Sequence, residues 1–134
     1  MAVIWQTRYD TGIQVVDDQH QELFRLVERL RLSVQESLPA EETQVILEEL
    51  VVATEQHFTT EEAIMAKAQY PDLTQHVAEH ASMLTSLYEL RTKFRQNPLA
   101  LALMVPTFMD GWLKHHISDG DFGFVTFLKA RRLL

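Results

Sequence analysis

Apolar residues recur at steps of three and four along four long segments of the chain, as in helices that bury one face. The first segment runs from Val16 to Leu38, the second from about Glu41 to Gln69, and the third from about Leu73 to Arg95. The fourth follows Asn97-Pro98 and ends near His116. Proline interrupts the chain after each of the first three segments, and it does not continue a helix readily. The pattern therefore predicts four amphipathic helices.

Each predicted helix has an inner face marked by its apolar residues. These are Val16, Leu23, Val27, Leu30 and Val34 on the first; Leu47, Leu50, Val51, Thr54, Phe58 and Met65 on the second; Leu73, Val77, Leu84, Leu87, Leu90 and Phe94 on the third; and Leu101, Val105, Phe108, Trp112 and Leu113 on the fourth. Asp17 or Asp18 is expected to cap the first helix. Pro106 lies inside the fourth helix and is expected to kink it.

Short connections between long amphipathic helices favour antiparallel neighbours. The predicted fold is all-α, an up-down-up-down antiparallel four-helix bundle. An N-terminal arm of about a dozen residues precedes it, and a short C-terminal helix is expected after Asp121. A chain of 134 residues is expected to form one domain over residues 1–134.

Charge and residue usage exclude several classes of function. The net charge of −7 argues against a nucleic-acid surface, and the only dense basic cluster is Lys129, Arg131 and Arg132. There is no cysteine, so disulfides and thiolate metal sites are excluded. The longest apolar stretch, Leu99–Pro106, is far shorter than the roughly 18 residues of a membrane span. Because no signal peptide is recognisable at the N-terminus, a cytoplasmic protein without membrane insertion is expected.

Five histidines and two carboxylates share the spacing of metal ligands. They are His20, His57, Glu61, His76, His80, His116 and Asp121. Helical phase places each of them on the inner face of its helix or, for Asp121, directly after it. Two pairs, His57 with Glu61 and His76 with His80, are four residues apart, so each pair lies one turn apart on one face.

One such pair alone is weak evidence, because similar pairs occur by chance in many helices. A helical bundle with histidines in its core and no metal is the alternative. That alternative buries several imidazoles and two carboxylates without partners, at a cost of the order of several kcal/mol per charge. A bound metal removes this cost. The seven residues together therefore favour a metal site.

The number and type of these residues indicate two ions. Two octahedral ions have twelve coordination positions, of which five imidazoles, two bridging carboxylates and one bridging oxygen fill eleven. One position stays open for a small molecule. Imidazole-rich sites suit iron, copper or zinc better than magnesium or calcium, and they differ from the carboxylate-rich sites of ferritin-like oxidases.

Four blocks of the sequence resemble the hemerythrin family, specifically its bacterial single-domain members. They are GIQVVDDQHQELF at 12–24, HFTTEEAIM at 57–65, HVAEH at 76–80 and WLKHHISDGD at 112–121. Their order and spacing are similar to the family pattern over most of the chain. Trp5 also resembles an aromatic residue of the family's N-terminal arm.

The resemblance implies a non-haem di-iron centre, two Fe2+/Fe3+ ions joined by an oxo or hydroxo bridge, which binds dioxygen reversibly. His76, His80 and His116 would bind one iron, and His20 and His57 the other. Glu61 and Asp121 would bridge the two ions. The open position would lie on the iron held by His20 and His57.

Helical phase also identifies neighbours of these residues. Apolar side chains near them are expected to keep the pocket dry: Leu23, Phe58, Leu84, Trp112, Leu113 and Ile117. Polar residues nearby that are out of phase are expected to face solvent: His115, Glu62 and Glu79. Asp119 competes with Asp121 as the carboxylate after His116, and the family spacing selects Asp121.

The leading functional hypothesis is an oxygen carrier, store or delivery protein, not an enzyme. An oxygen-consuming protein is then the expected partner, and a monomer or weak oligomer the expected state. The alternatives are a di-iron enzyme with peroxidase, nitric-oxide-reducing or ferroxidase activity, and an oxygen or redox sensor.

Overall fold

The computed structural model describes residues 9–98 and 104–133, and within these residues the secondary structure is helical throughout, without strands. The elements, in chain order, are α1 (Gln14–Gln35), α2 (Ala40–Lys67), α3 (Leu73–Gln96), α4 (Met104–His115), a π-helical segment (His116–Asp121) and α5 (Phe122–Ala130). The predicted short C-terminal helix is α5. Trp5 and most of the predicted N-terminal arm lie outside the described residues.

Side-chain contacts show that α1 and α2 are antiparallel. Near the end of α1, Thr43 Oγ1 donates to Ser33 Oγ at 3.1 Å. Near its beginning, Gln19 Nε2 donates to Thr60 Oγ1 at 3.1 Å. Residue numbers thus fall along α1 as they rise along α2.

The same test shows that α2 and α3 are antiparallel. Arg91 of α3 donates to Glu48 of α2 at 3.2 Å, and Tyr88 Oη donates to Glu55 at 2.6 Å. Towards the beginning of α3, the partner on α2 has moved further along the chain, to Glu62. Successive contacts therefore run in opposite directions on the two helices.

The fourth helix returns to the end of the bundle where α3 begins. The ring of His116, directly after α4, has its centroid 5.2 Å from that of His80 and 6.1 Å from that of His76. Because α3 runs away from this end and α4 arrives at it, the two helices are antiparallel. The predicted up-down-up-down helical bundle is confirmed. None of the described helices has the length and apolarity needed to cross a membrane.

Two apolar clusters lie above and below the histidines along the length of α2. The larger cluster fills the space between α1, α2 and their neighbours, and its fully buried members include Leu23, Val27, Leu47, Leu50 and Leu87. The smaller cluster joins the end of α2 to α5 through Met65, Phe124 and Leu128. The histidines therefore lie between two packed layers.

Two residues predicted on inner faces are exposed in the structure. Val77 is 38% exposed and Phe108 is 36% exposed. Val77 follows His76 by one residue, and this turns it about 100° away from the buried side of α3. Phe108 lies five residues before the buried Leu113, a step of about 140° around α4. Leu101 and the side chain of Val105 lie outside the described residues.

The start of α1 differs from the predicted cap. Ile13 occupies the cap position without a side-chain hydrogen bond, while Asp17 lies inside the first turn. The carboxylate of Asp17 accepts from the backbone and hydroxyl of Thr11, both at 2.7 Å, and from the backbone of Gly12 at 3.1 Å. Asp17 therefore holds the preceding loop against the helix. Pro106 lies within the helical range of α4, and its kink stays a prediction.

Three helices end in the same motif, with a residue other than glycine in the left-handed conformation. The residues are Ser37 at φ 53°, Gln69 at φ 56° and Arg132 at φ 56°. After α2, the amide of Tyr70 donates to the carbonyl of Met65 at 3.0 Å. This is the hydrogen bond between residues five apart that defines a Schellman motif. After α1, the amide of Leu38 donates to the carbonyl of Ser33 at 2.9 Å, so the helix ends at Gln35, three residues before the predicted end at Leu38.

Glycine at one of these positions is expected to stabilise the fold. Gln69→Gly should raise the free energy of unfolding by about 1 kcal/mol, because glycine adopts positive φ without the strain of a side chain. The same change at Gln75, exposed inside α3, should lower it by about 1 kcal/mol. Urea denaturation of both variants measures the two effects. Destabilisation by Gln69→Gly would contradict the prediction.

Candidate metal centre

The seven side chains predicted from the sequence come together in the interior of the bundle. None of them exposes more than 5% of its surface. We call them the central cluster: His20 from α1, His57 and Glu61 from α2, His76 and His80 from α3, and His116 and Asp121 from the π-helical segment. That they bind metal stays a prediction.

The carboxylate of Glu61 lies at the middle of the cluster, and its two oxygens face different histidines. Oε1 is 2.8 Å from Nε2 of His76 and 3.3 Å from Nε2 of His80. Oε2 is 3.0 Å from Nε2 of His57 and 3.5 Å from Nε2 of His116. This is the placement of a carboxylate that spans two neighbouring positions.

The carboxylate of Asp121 also lies among the histidines. Its Oδ2 is 2.7 Å from Nε2 of His20 and 3.2 Å from Nε2 of His116. Its Oδ1 is 3.7 Å from Nε2 of His76. Asp121 therefore also connects histidines of different helices.

The π-helical segment explains how Asp121 reaches His116. Residues five apart in an α-helix are about 140° apart around the axis, so their side chains diverge. A π-helix has wider turns, closed by hydrogen bonds between residues five apart, and is often found at functional sites. His116 and Asp121 are the first and last residues of this segment. The sequence predicted that Asp121 lies just beyond the helix, and the structure places it in a continuous helical path into α5.

The candidate ligand atoms form two overlapping groups, and within each group they lie within 4.8 Å of one another. One group contains His20, His57, Glu61, His116 and Asp121. The other contains Glu61, His76, His80 and His116. Glu61 and His116 belong to both groups, so the two groups form one continuous cluster.

The short contacts within the cluster match the spacing of atoms around an ion. Ligand atoms about 2.1 Å from an ion and at right angles to each other lie about 3 Å apart. Nε2 of His57 is 3.0 Å from Nε2 of His20 and 3.2 Å from Nε2 of His116. Three imidazoles thus direct the same ring nitrogen towards a common point.

Several buried atoms of the cluster lack a properly oriented hydrogen bond from the described residues. Among them are Oε2 of Glu61, both carboxylate oxygens of Asp121, Nε2 of His80 and Nδ1 of His116. Buried polar atoms are nearly always paired, so such a group requires an explanation. Metal coordination would satisfy the three carboxylate oxygens and Nε2 of His80, and the chemistry of the donor set therefore fits a metal pair.

The two buried carboxylates of the cluster favour positive charge on the neighbouring histidines. Burial disfavours a charged His116, but Asp121 and Glu61 outweigh burial and raise its pKa to about 10. Burial also opposes the charge on His76, yet hydrogen bonds with Asp121 and Glu61 raise its pKa to about 9. At His57, burial dominates and lowers the pKa. Without metal, two imidazolium groups balance the two carboxylates, and bound cations could replace them.

Two residues outside the cluster bond to the outward nitrogens of its histidines. Nδ1 of His80 is 2.8 Å from Oε2 of Glu62, and Nδ1 of His57 is 2.9 Å from Oε1 of Gln19. The prediction that Glu62 is a solvated face residue is confirmed only in part, because its side chain is 31% exposed but also contacts His80. Helical phase could not find this contact because it connects two helices, and 18 residues separate the partners. The role of Gln19 was not predicted; its position next to His20 was the only feature of the sequence that could have indicated it.

Aromatic and aliphatic side chains enclose the cluster on the side of α2 and α4. The ring of Phe58 stacks on His80, with centroids 3.8 Å apart and planes at 1°. Trp112 is half-buried, with its ring 6.2 Å from that of His116. The remaining predicted neighbours are fully buried at Leu23, Leu113 and Ile117, and half-buried at Leu84.

The polar residues predicted to face solvent differ in outcome. His115 and Glu79 are exposed, and the carboxylate of Glu79 accepts from Gln75 at 3.4 Å. The side chain of Asp119 lies outside the described residues. The phase argument is thus confirmed for two of these residues.

Comparison with known proteins identifies the family. The sequence model of the hemerythrin HHE cation-binding domain matches residues 11–128. A bacteriohemerythrin of Stenotrophomonas maltophilia is 27% identical over 128 residues, covering 96% of this chain and 82% of that protein. A bacteriohemerythrin of Pseudomonas aeruginosa is 32% identical over 123 residues, covering 92% and 79%.

A solved structure shows the same likeness in three dimensions. A crystal structure of a hemerythrin variant aligns with a TM-score of 0.78 at 28% identity, covering 90% of this chain and 93% of that one. The match by the family's cation-binding domain includes every member of the central cluster. The chain belongs to the hemerythrin family.

Proposed function

We propose that this protein binds dioxygen reversibly at a pair of iron ions held by the central cluster. His76, His80 and His116 would hold one iron, His20 and His57 the other, and Glu61 and Asp121 would bridge them. The observation that carries the proposal is the position of Glu61, whose two oxygens face histidines of both sets. Membership in the hemerythrin family supports iron as the metal and dioxygen as the molecule bound.

His116 needs a separate assignment because it is close to both groups of candidate ligands. Its Nε2 lies 3.2 Å from Nε2 of His57. The family pattern assigns it to the iron with His76 and His80. That set then has three imidazoles, while the other has two and keeps the open position.

A bound pair of irons supplies reversible two-electron chemistry towards dioxygen. The chain would hold the metals through side chains from α1, α2, α3 and the π-helical segment, which limits the movement of the ions. It also keeps water away, since Leu23, Leu113 and Ile117 are fully buried beside the cluster. Exclusion of water favours release of dioxygen over irreversible oxidation. Reversible binding of dioxygen at such a pair would require no proton transfer by an acidic or basic side chain of the protein.

A binding protein agrees with the family, whose members are generally oxygen carriers or sensors rather than enzymes. We extend the proposal to delivery: an oxygen-consuming protein of the cytoplasm would receive the dioxygen. The proposed function involves neither nucleic acid nor insertion into a membrane. Co-purification of such a protein with the oxygen-loaded chain would test this extension.

The optical spectrum through one cycle of reduction, oxygenation and oxygen removal tests the proposed function. Iron-loaded, reduced protein should gain the visible charge-transfer absorption of an oxidised iron pair on exposure to oxygen. It should lose most of this absorption when oxygen is removed. Zinc-loaded protein is the control and should stay colourless. Absorption that never appears, or that survives oxygen removal, would rule out reversible binding.

A further inference from the structure

Two histidines of the central cluster contact different kinds of side chain through Nδ1, the ring nitrogen that does not face the cluster. Nδ1 of His80 lies 2.8 Å from a carboxylate oxygen of Glu62, whose side chain is 31% exposed. Nδ1 of His57 lies 2.9 Å from the amide oxygen of Gln19. One partner is an anion and the other is neutral. Neither residue belongs to the seven candidate ligands.

The contact with Glu62 decides which nitrogen of His80 carries the proton. A carboxylate oxygen only accepts hydrogen bonds, so Nδ1 of His80 must donate. A neutral imidazole has one N–H, and Nε2 is then left with a free lone pair. Nε2 is the nitrogen that faces Glu61 inside the cluster, 3.3 Å from Oε1.

Gln19 makes the corresponding contact with His57, and its amide group also contacts Thr60. Its amide nitrogen donates to the hydroxyl of Thr60 at 3.1 Å, and its amide oxygen faces Nδ1 of His57 at 2.9 Å. Nδ1 of His57 then donates to that oxygen, and Nε2 points into the cluster. Thr60 and Glu62 flank Glu61 in the sequence, so one turn of α2 orients histidines on both sides of the candidate bridge.

We propose that Glu62 and Gln19 are positioning residues that fix His80 and His57 with Nε2 available to metal, and that their difference in charge makes the two metal positions unequal. This inference rests on the proposed metal pair but not on its reaction with dioxygen. Partners of this kind raise the basicity of a ligand histidine as well as orienting it. The anionic partner should do so more strongly, and oxidised iron is thereby stabilised on the His80 side.

Zinc binding to the full chain tests the positioning role. Glu62→Ala should weaken the binding of Zn2+ about tenfold to a hundredfold, while Glu62→Gln, which keeps an acceptor oxygen, should restore most of it. Glu79→Ala is the matched control, because it removes an exposed carboxylate beside His80 that accepts a hydrogen bond from Gln75. Equal losses in Glu62→Ala and Glu79→Ala would overturn the proposal.

Ring nitrogen spectra of the zinc-loaded protein test the protonation directly. Nitrogen-15 correlation spectra should show the proton on Nδ1 of both His80 and His57. In Glu62→Ala the Nδ1 proton signal of His80 should broaden or disappear, with that of His57 unchanged. A wild-type spectrum with Nδ1 of His80 bound to metal would overturn the proposal, as would a chain that binds no zinc.

The reduction potential of the iron-loaded protein tests the inequality. Glu62→Gln removes the negative charge but keeps the hydrogen bond, and should raise the potential; Gln19→Glu should lower it. Glu79→Gln should shift the potential by less than Glu62→Gln. Equal shifts in those two variants would mean that only the overall charge matters. Loss of reversible oxygen binding with these shifts intact would refute the proposed function alone, since zinc affinity and potential need no dioxygen.

Discussion

Alanine at Glu61 is expected to abolish the loading of both metal ions, the largest effect of any single substitution in this protein. Glu61 lies within 3.5 Å of four histidines, and it belongs to both groups of candidate ligand atoms. In the proposed metal pair, its removal would therefore take an oxygen from each ion at once. Removal of an outer hydrogen-bond partner costs about tenfold to a hundredfold in affinity, and loss of a shared ligand should cost more than about a hundredfold.

Metal content per chain after iron loading measures this effect. His80→Ala provides the comparison, because His80 belongs to only one of the two groups and its loss should weaken one ion. Glu79→Ala, an exposed carboxylate on the helix that carries His80, should leave loading unchanged. Two irons bound by Glu61→Ala with wild-type affinity would refute the bridging role.

Removal of metal is expected to lower the melting temperature by an amount on the order of 10–20 °C. A ligand present at about a thousand times its dissociation constant stabilises the fold by about 4 kcal/mol, and a chain of this size converts that energy into such a shift. The physical source is the interior of the bundle. If the proposed ions are bound, two buried carboxylates and five buried imidazoles would lose their common partner when the ions leave.

Thermal denaturation with and without a chelator, monitored by circular dichroism, measures this shift. The Glu61→Ala variant serves as the control, since it should show almost no dependence on metal. An unchanged melting temperature in the wild type after complete removal of metal would support the metal-free alternative, in which the histidines are ordinary core residues. The same measurement thus separates the two interpretations of the cluster.

The helices and their buried faces were largely predictable because an amphipathic helix repeats its pattern locally. The predicted starts and ends of α2 and α3 lie within about two residues of the observed ones, within the usual uncertainty of helix ends. The exceptions, Val77 and Phe108, lie at the edges of apolar faces. There the depth of burial depends on which neighbouring helix covers the residue, and periodicity contains no such information.

The outer partners of the histidines could not be predicted for a different reason. Glu62 is out of phase with the buried side of α2, yet α3 lies close enough for His80 to reach it. Such a contact depends on the separation and relative shift of two helices, which are properties of packing. Similarly, the π-helical turn between His116 and Asp121 breaks the regular phase on which sequence patterns rely.

The sequence by itself determined the all-α class, the four helices, and the inward phase of the five histidines and of Glu61, because each depends on residues within one helix. Only the tertiary structure decided which oxygen of Glu61 faces which histidine, how Asp121 turns back to the cluster, and that Glu62 and Gln19 hold two of the rings. These features depend on how separate helices are placed against each other. That placement results from packing the whole interior, to which all the helices contribute at once.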